Sequence, residues 1–470
     1  MLDFTLILPL LVVGAGAIAL MLMASMKTLG EENTAIASMV VFAFAFIVQL
    51  MVEPTGRVMP YEATFNGMLV VSKFSGVAGL IILACGFFSC MIAQTYFTSN
   101  RLYSGEFYSL ILFASCGMLL LTMAAELITL FIALEIMSLA IYILVGYDRK
   151  SLKCSEAVMK YLILGAFAGS FFAMGAALIY GGAQSTRFAE IAAYLGAHTF
   201  LSSPLLVAGS VLVFVAFLFK AAAFPFHAWV VDVYDGAPLP VTGFMATGVK
   251  TAIFAVMANF IVLDSGLKGT WVDYLFYVAV FTMFGGNLIA IGQNSLKRML
   301  AASGIVHTGY LLIALVAVGT KNFTGSVILF YLAAYAVATL GVFAALSYLG
   351  GEGERRGSFD DFKGLARVRP YSAAAITIFM LSMAGIPPTA GFLGKFYIIT
   401  DAIRAGQMVL AVLGIVSSIL SMWYYLRLVI MMYFKEPEDT FEISGMSLAP
   451  VGTVVLAVAV FAIGFYPVFL

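Results

Sequence analysis

This sequence is poor in charge. Among 470 residues there are 24 Lys and Arg and 24 Asp and Glu, 10% in all, against 63% hydrophobic residues and a mean hydropathy of +1.06. A soluble domain carries about 25% charged residues. So few charges cannot cover a water-facing surface, which excludes a soluble globular enzyme, a disordered regulator and a nucleic-acid binder. Cysteine is scarce too. Cys85, Cys90, Cys116 and Cys154 form no CxxC pair and no cluster with histidine, so no zinc or iron–sulfur site is legible. A Walker A motif is missing, so the chain does not itself power transport with ATP. The start, Met1-Leu2-Asp3, lacks a basic n-region and a small-residue cleavage site and reads as the beginning of a first span. Gly14-Ala-Gly16-Ala-Ile-Ala19 matches a dinucleotide glycine pattern, but it lies inside an apolar run with no preceding strand.

What the chain does have is apolar runs about one membrane thickness long. They predict an all-α polytopic membrane protein with fourteen transmembrane helices near 4–26, 33–52, 74–96, 107–123, 126–146, 155–181, 205–233, 241–263, 271–293, 301–319, 324–349, 371–403, 409–434 and 449–468. Helices are the only practical spans here, since lipid offers no partner to a free backbone group and no ten-residue alternating strands occur. Loops after odd-numbered helices hold thirteen basic residues: Lys27, Arg101, Arg149, Lys150, Lys153, Lys297, Arg298, Arg355, Arg356, Lys363, Arg367, Arg369 and Lys435. Loops after even-numbered helices hold six: Arg57, Lys73, Arg187, Lys268, Lys321 and Arg404. The excess places odd loops in the cytoplasm and both termini on the opposite side.

Two spans are broken. Helix 7 carries Phe219-Lys220-Ala-Ala-Ala-Phe-Pro225-Phe-His227, and helix 12 carries Gly385-Ile-Pro387-Pro388-Thr-Ala-Gly391-Phe-Leu-Gly394-Lys395. Breaks five spans apart predict two inverted five-helix repeats, helices 4–8 (107–264) and 9–13 (271–434), preceded by helices 1–3 (1–106) and followed by helix 14 (449–468). Gly165-Ala-Phe-Ala-Gly169 in helix 6 reads as close helix packing.

Five basic residues fall inside spans: Lys160, Lys220, Lys250, Lys395 and Arg427; Glu135 is the one carboxylate clearly inside a span. Each costs roughly 2.5–3.5 kcal/mol on insertion scales. Snorkelling to the interface suits Lys160 and Arg427. It does not suit Lys220 beside a proline break, nor Lys250 in mid-span. A static ion pair is one alternative for these two lysines, Lys395 and Glu135; a path for protons is the other. A buried lysine sheds its penalty by releasing a proton, and a nearby carboxylate favours the charged form. Lysine can switch in this way, whereas arginine stays charged. His307, one turn beyond Ser303 and three residues before Tyr310, is either a proton relay or a satisfied packing residue. His227 is a proton-entry group or a loop-edge hydrogen bond, and His198 carries no functional argument.

The segments Phe219 to Thr242, Lys297 to Tyr310 and Ala384 to Lys395 resemble the signatures of the antiporter-like membrane subunits of respiratory complex I. Among the three homologous types, Lys250 within Phe244-Met-Ala-Thr-Gly-Val-Lys250 is similar to the N type. Lys395 argues against the M type, and the chain's end near helix 14 against the L type. Ala223 and Leu239 are mild departures from the pattern. The resemblance implies a proton-translocating subunit in a bacterial inner membrane. It implies that Glu135 pairs with Lys220, that Lys250 is the central connecting lysine and Lys395 the terminal one, and that His307 belongs to the axis between them. It implies no cofactor in this chain, with NADH, FMN, iron–sulfur clusters and quinone handled by partner subunits. The expected partners are other membrane subunits, homologous and small, and the lipid bilayer. A subunit of a multi-subunit Na⁺/H⁺ antiporter or membrane-bound hydrogenase-type complex is the alternative, and a purely structural subunit a second.

Overall fold

The structure, a computed structural model, describes residues 4–26, 30–52, 63–100, 102, 105–197, 203–263, 268–318, 325–438, 441 and 448–467. Lys27, Arg57, Arg101, His198 and Lys321 lie outside the described residues.

The chain runs through α1 (Leu8–Ser25), α2 (Glu31–Met51), a small antiparallel hairpin of β1 (Ala63–Thr64) and β2 (Leu69–Val70), then α3 (Lys73–Asn100), α4 (Phe107–Met123), α5 (Leu127–Val145) and α6 (Leu152–Ala183). It continues with α7 (Phe188–Ala197), α8 (Pro204–Ala221), α9 (Ala228–Gly236), α10 (Leu239–Phe244), a π-helical turn at Met245–Val249, and α11 (Lys250–Leu263). The remainder comprises α12 (Lys268–Ile291), α13 (Leu296–Val318), α14 (Ser326–Leu349), α15 (Leu365–Val368), α16 (Pro370–Ala384), α17 (Ala390–Arg404), α18 (Met408–Phe434) and α19 (Ala449–Phe465).

Among the described residues, 11 helices are long and apolar enough to cross a membrane. The 17-residue α4 and α19, each about 26 Å long, and the pair α16–α17 bring the total to the fourteen spans expected. Several span ends shift by a few residues, bringing Lys73, Lys153, Lys268 and Arg404 into terminal helical turns, and the largest shift is at the tenth span. The tenth span begins at Leu296, so Lys297 and Arg298 are helical rather than loop residues. The ten-residue α7 lies where only a loop was expected; it is too short for its period to stand out.

Polarity is arranged inside out. The outer helices present Phe167, Met174, Leu288, Val409 and Trp423 to the surroundings, as lipid requires. α13 and α14 are enclosed by the other helices, and the polar side chains gather around them. The α6–α8 crossing depends on glycine. A Cβ on Gly175 would meet the carbonyl oxygen of Gly209 at 2.7 Å, and one on Gly209 would meet that of Gly175 at the same distance.

Both breaks are built alike. α8 stops where Ala222 turns left-handed (φ 61°), with the Ala223 amide reaching back to the Leu218 carbonyl at 2.9 Å. α16 stops where Gly385 turns left-handed (φ 84°), with the Ile386 amide reaching Leu381 at 3.0 Å. Such caps satisfy the last carbonyls of a helix, and the prolines that follow prevent it from resuming.

Candidate functional site

Breaking a helix at membrane depth frees backbone groups, and at the first break side chains from three helices take them up. Trp229 Nε1 donates to the Phe219 carbonyl (3.2 Å), Thr308 Oγ1 to the Ala221 carbonyl (2.7 Å), and the Phe224 amide donates to Thr282 Oγ1 (2.9 Å). Lys220 sits in the last turn of α8, where the helix dipole favours a cation. Its amine donates to Ser138 Oγ (2.8 Å) and to Tyr142 (3.3 Å), both on α5, and lies over the rings of Tyr142 and Tyr161. Glu135 is one turn before Ser138 and half-buried. It makes no direct ion pair with Lys220; Ser138 takes that amine instead. The carboxylate fits because Gly169 of α6 faces it: a Cβ there would stand 2.9 Å from Glu135 Oε1. Gly165 leaves the same kind of room for the Tyr142 hydroxyl. The two glycines expected to bring helices close therefore accommodate two polar side chains of α5.

Lys250 follows directly on the π-helical turn, a distortion frequent at functional sites. Buried, it donates to the Gly304 carbonyl of α13 at 2.5 Å and lies 4.9 Å from the centroid of the Tyr335 ring. Tyr335 in turn packs on His307, ring centroids 4.5 Å apart. His307 is buried and bridges two tyrosines: Nδ1 lies 2.6 Å from the Tyr331 hydroxyl and Nε2 3.1 Å from that of Tyr425. Tyr310 donates to the Gly414 carbonyl (2.8 Å), and its ring lies beneath the amine of Lys395 (5.0 Å). Lys395 closes the second break, donating to the Ala384 carbonyl and to Ser418 Oγ, each at 3.0 Å. Lys250, His307 and Lys395 are thus brought into one line through tyrosines of α13, α14 and α18. Lys220 stands beside this line, where Thr308 of α13 bonds the carbonyl of the next residue, Ala221, and Glu135 stands at the half-exposed edge.

Two other singled-out residues, Lys160 and Arg427, have polar partners in the protein. Lys160 pairs with Asp232 (2.8 Å) and Glu156 (2.6 Å) rather than snorkelling alone. Arg427 bonds the Gln293 carbonyl and Asn294 Oδ1, both at 3.1 Å, over the Phe359 ring. His227 is half-buried and stacks on Phe224, and its Nδ1 has no hydrogen-bond partner. Among the described residues, no three His, Cys, Asp or Glu side chains are grouped to hold a metal ion.

Loops after helices 3, 5, 7, 9 and 11 converge on a polar cavity of about 730 Å³, with Asn100, Asp148, Asp235, Ser295 and Arg356 in its lining. One end of the bundle therefore gathers these odd loops. In that lining, Lys297 pairs with Glu354 at 2.8 Å and donates to the Ala237 carbonyl at 2.8 Å. Lys297 is buried, so its count among loop charges is corrected.

Several site residues escaped the sequence: Ser138, Tyr142, Tyr331, Tyr335, Tyr425 and Ser418. Hydroxyls and rings inside apolar runs look like packing, and only the lysines they face distinguish them.

Fold and site together define a polytopic membrane subunit of antiporter-like class, with two broken helices and a buried line of lysines. Residues 124–421 match the family described as NADH:quinone oxidoreductase/Mrp antiporter, TM, and the chain belongs to that family. It is 42% identical over 381 residues to "NADH-quinone oxidoreductase subunit N" of Trichlorobacter lovleyi, covering 81% of this chain and 78% of that protein. Its fold is similar to that of a chain of respiratory complex I from Thermus thermophilus (32% identity, TM-score 0.81, 98% of this chain and 97% of that one). It is similar as well, in fold alone, to a chain of an archaeal membrane-bound sulfane sulfur reductase (24% identity, TM-score 0.86, 99% and 95%).

Proposed function

We propose that this chain is a proton-translocating membrane subunit of an NADH-quinone oxidoreductase, of the N type. The reading is carried by one observation: three buried lysines, two of them at helix breaks, are each held by hydroxyls, tyrosine rings or buried carbonyls, with one imidazole between the second and the third. Lys220, Lys250 and Lys395 hold and release protons, His307 passes them between Tyr331 and Tyr425, and Glu135 biases Lys220 toward its charged form. Driving energy arrives as shifts of charge from partner subunits, which hold NADH, FMN, iron–sulfur clusters and quinone. The partners are other membrane subunits, homologous and small.

In this reading helices 4–8 and 9–13 form two inverted units. The membrane is the bacterial inner membrane, the odd loops and the polar cavity face the cytoplasm, and both termini face the periplasm. The alternative of an antiporter or hydrogenase-type subunit is supported by the shared fold and family; the relatives of higher identity favour the oxidoreductase.

The test is Lys220→Ala in the assembled complex, reconstituted into vesicles. Proton pumping per NADH oxidised is expected to fall sharply. Unchanged pumping with unchanged quinone-coupled turnover would sink the role of Lys220.

A further inference from the structure

The hydroxyl of Thr308 lies between the two lysines of the first half. It is 2.7 Å from the Ala221 carbonyl, on the residue after Lys220, and 3.2 Å from the Gly304 carbonyl. Gly304 is also the acceptor of Lys250, at 2.5 Å. Thr308, Ala221 and Gly304 are all buried inside the bundle. A hydroxyl has one proton to donate. It can satisfy Ala221 or Gly304, not both.

We propose that Thr308 is a positioning residue that couples the protonation of Lys250 to the end of the helix carrying Lys220; the inference rests on the proton path described above. While Lys250 is charged, its ammonium occupies the Gly304 carbonyl with a charge-assisted hydrogen bond, the stronger kind. The Thr308 hydroxyl then points to Ala221 and ties down the last turn of α8. When Lys250 passes its proton along the His307 side, its hold on Gly304 weakens to that of a neutral amine. The Thr308 hydroxyl rotates to Gly304, and Ala221 loses its donor. No covalent bond changes at Thr308; its proton stays on its oxygen. The carbonyl left bare is one residue from Lys220, in the turn where an unpaired acceptor attracts a cation. Discharge of Lys250 therefore favours charging of Lys220, which orders the two steps.

The experiment compares T308V, T308S, K220A and K250A in the whole complex, reconstituted into vesicles and normalised to assembled complex. The readout is protons pumped per quinone reduced. T308V removes the hydroxyl at nearly constant volume and is expected to lower this ratio toward the value that K220A gives. T308S keeps the hydroxyl and is expected to restore it. A residue that only packs would change the yield of complex and leave the ratio alone. Should T308V not assemble, T308A is read in its place. If K220A and K250A pump normally, the lysine path itself falls. If they lose pumping while T308V keeps the full ratio, or if T308S loses as much as T308V, the coupling through Thr308 is overturned and the path stands.

Discussion

The amine of Lys395 lies 3.0 Å from the carbonyl oxygen of Ala384, eleven residues earlier and across the break between α16 and α17. The lysine thus serves as the cap of the helix that its own half-span follows. Ser418 Oγ reaches the same carbonyl at 3.3 Å. If Lys395 releases its proton, the serine can still hold the helix end. K395A should therefore assemble, yet lose proton pumping per turnover by at least about tenfold. K395R should lose as much, since arginine keeps its charge. Vesicle pumping assays on both variants decide this; pumping by K395R at the normal rate would mean that only the charge matters.

The two hydrogen bonds of His307 predict an order of effects. A neutral imidazole donates from one nitrogen and accepts at the other, so the ring can take a proton on one side and lose it on the other. Tyr331, at 2.6 Å, is the closer partner; Tyr425 is at 3.1 Å. H307Q keeps polar atoms but cannot exchange a proton through a ring, and should lower pumping more than either tyrosine change. Y331F should exceed Y425F, with a difference of about 1 kcal/mol in the pumping step. Pairing H307Q with each Phe variant in a double-mutant cycle measures the coupling. Equal effects of Y331F and Y425F would remove the order.

How much of this was legible in the sequence depends on the signal each feature emits. Pro225 and the Pro387-Pro388 pair announce both breaks, and lysines in apolar runs announce the line. The π-helical turn at Met245–Val249 emits nothing, because it lies in an unbroken apolar run with the same composition as a regular helix. Tyr331, Tyr335 and Tyr425 come from helices distant in sequence and meet His307 only after folding. Lys297 looked like a loop charge because Arg298 follows it. Only the closure of the Glu354 loop over it makes it a buried ion-pair member.

Gly169 and Gly175 both lie on α6 and should fail differently. A Cβ on Gly169 meets a movable carboxylate oxygen, Glu135 Oε1. A Cβ on Gly175 meets fixed backbone, the Gly209 carbonyl at 2.7 Å and the Val213 amide at 2.9 Å. G169A should leave the yield of complex near normal and lower pumping by displacing Glu135. G175A should cost about 1–3 kcal/mol of stability, as overpacking does, and lower the yield of complex. Thermal unfolding and pumping measured on both would separate the effects. A stability loss from G169A equal to that from G175A would contradict the assignment of Gly169 to Glu135.

The ion pair at the polar cavity supports a last prediction. Glu354 Oε2 is 2.8 Å from Lys297 Nζ, and its other oxygen accepts from the Leu239 amide at the start of α10 (3.3 Å). Removing one member of a buried pair strands the other and costs about 3–5 kcal/mol; partial exposure of Glu354 to the cavity puts E354A near the lower figure. E352A is the control, since Glu352 is exposed in the same loop and should change stability by less than about 0.5 kcal/mol. E354A combined with K297A should cost less than the sum of the two single changes, because the double variant leaves no stranded charge. Thermal unfolding of the four complexes gives the answer. Strict additivity would mean that the pair is already screened at the cavity, and that Glu354 acts through its other partners, the α10 amide and the Tyr96 hydroxyl.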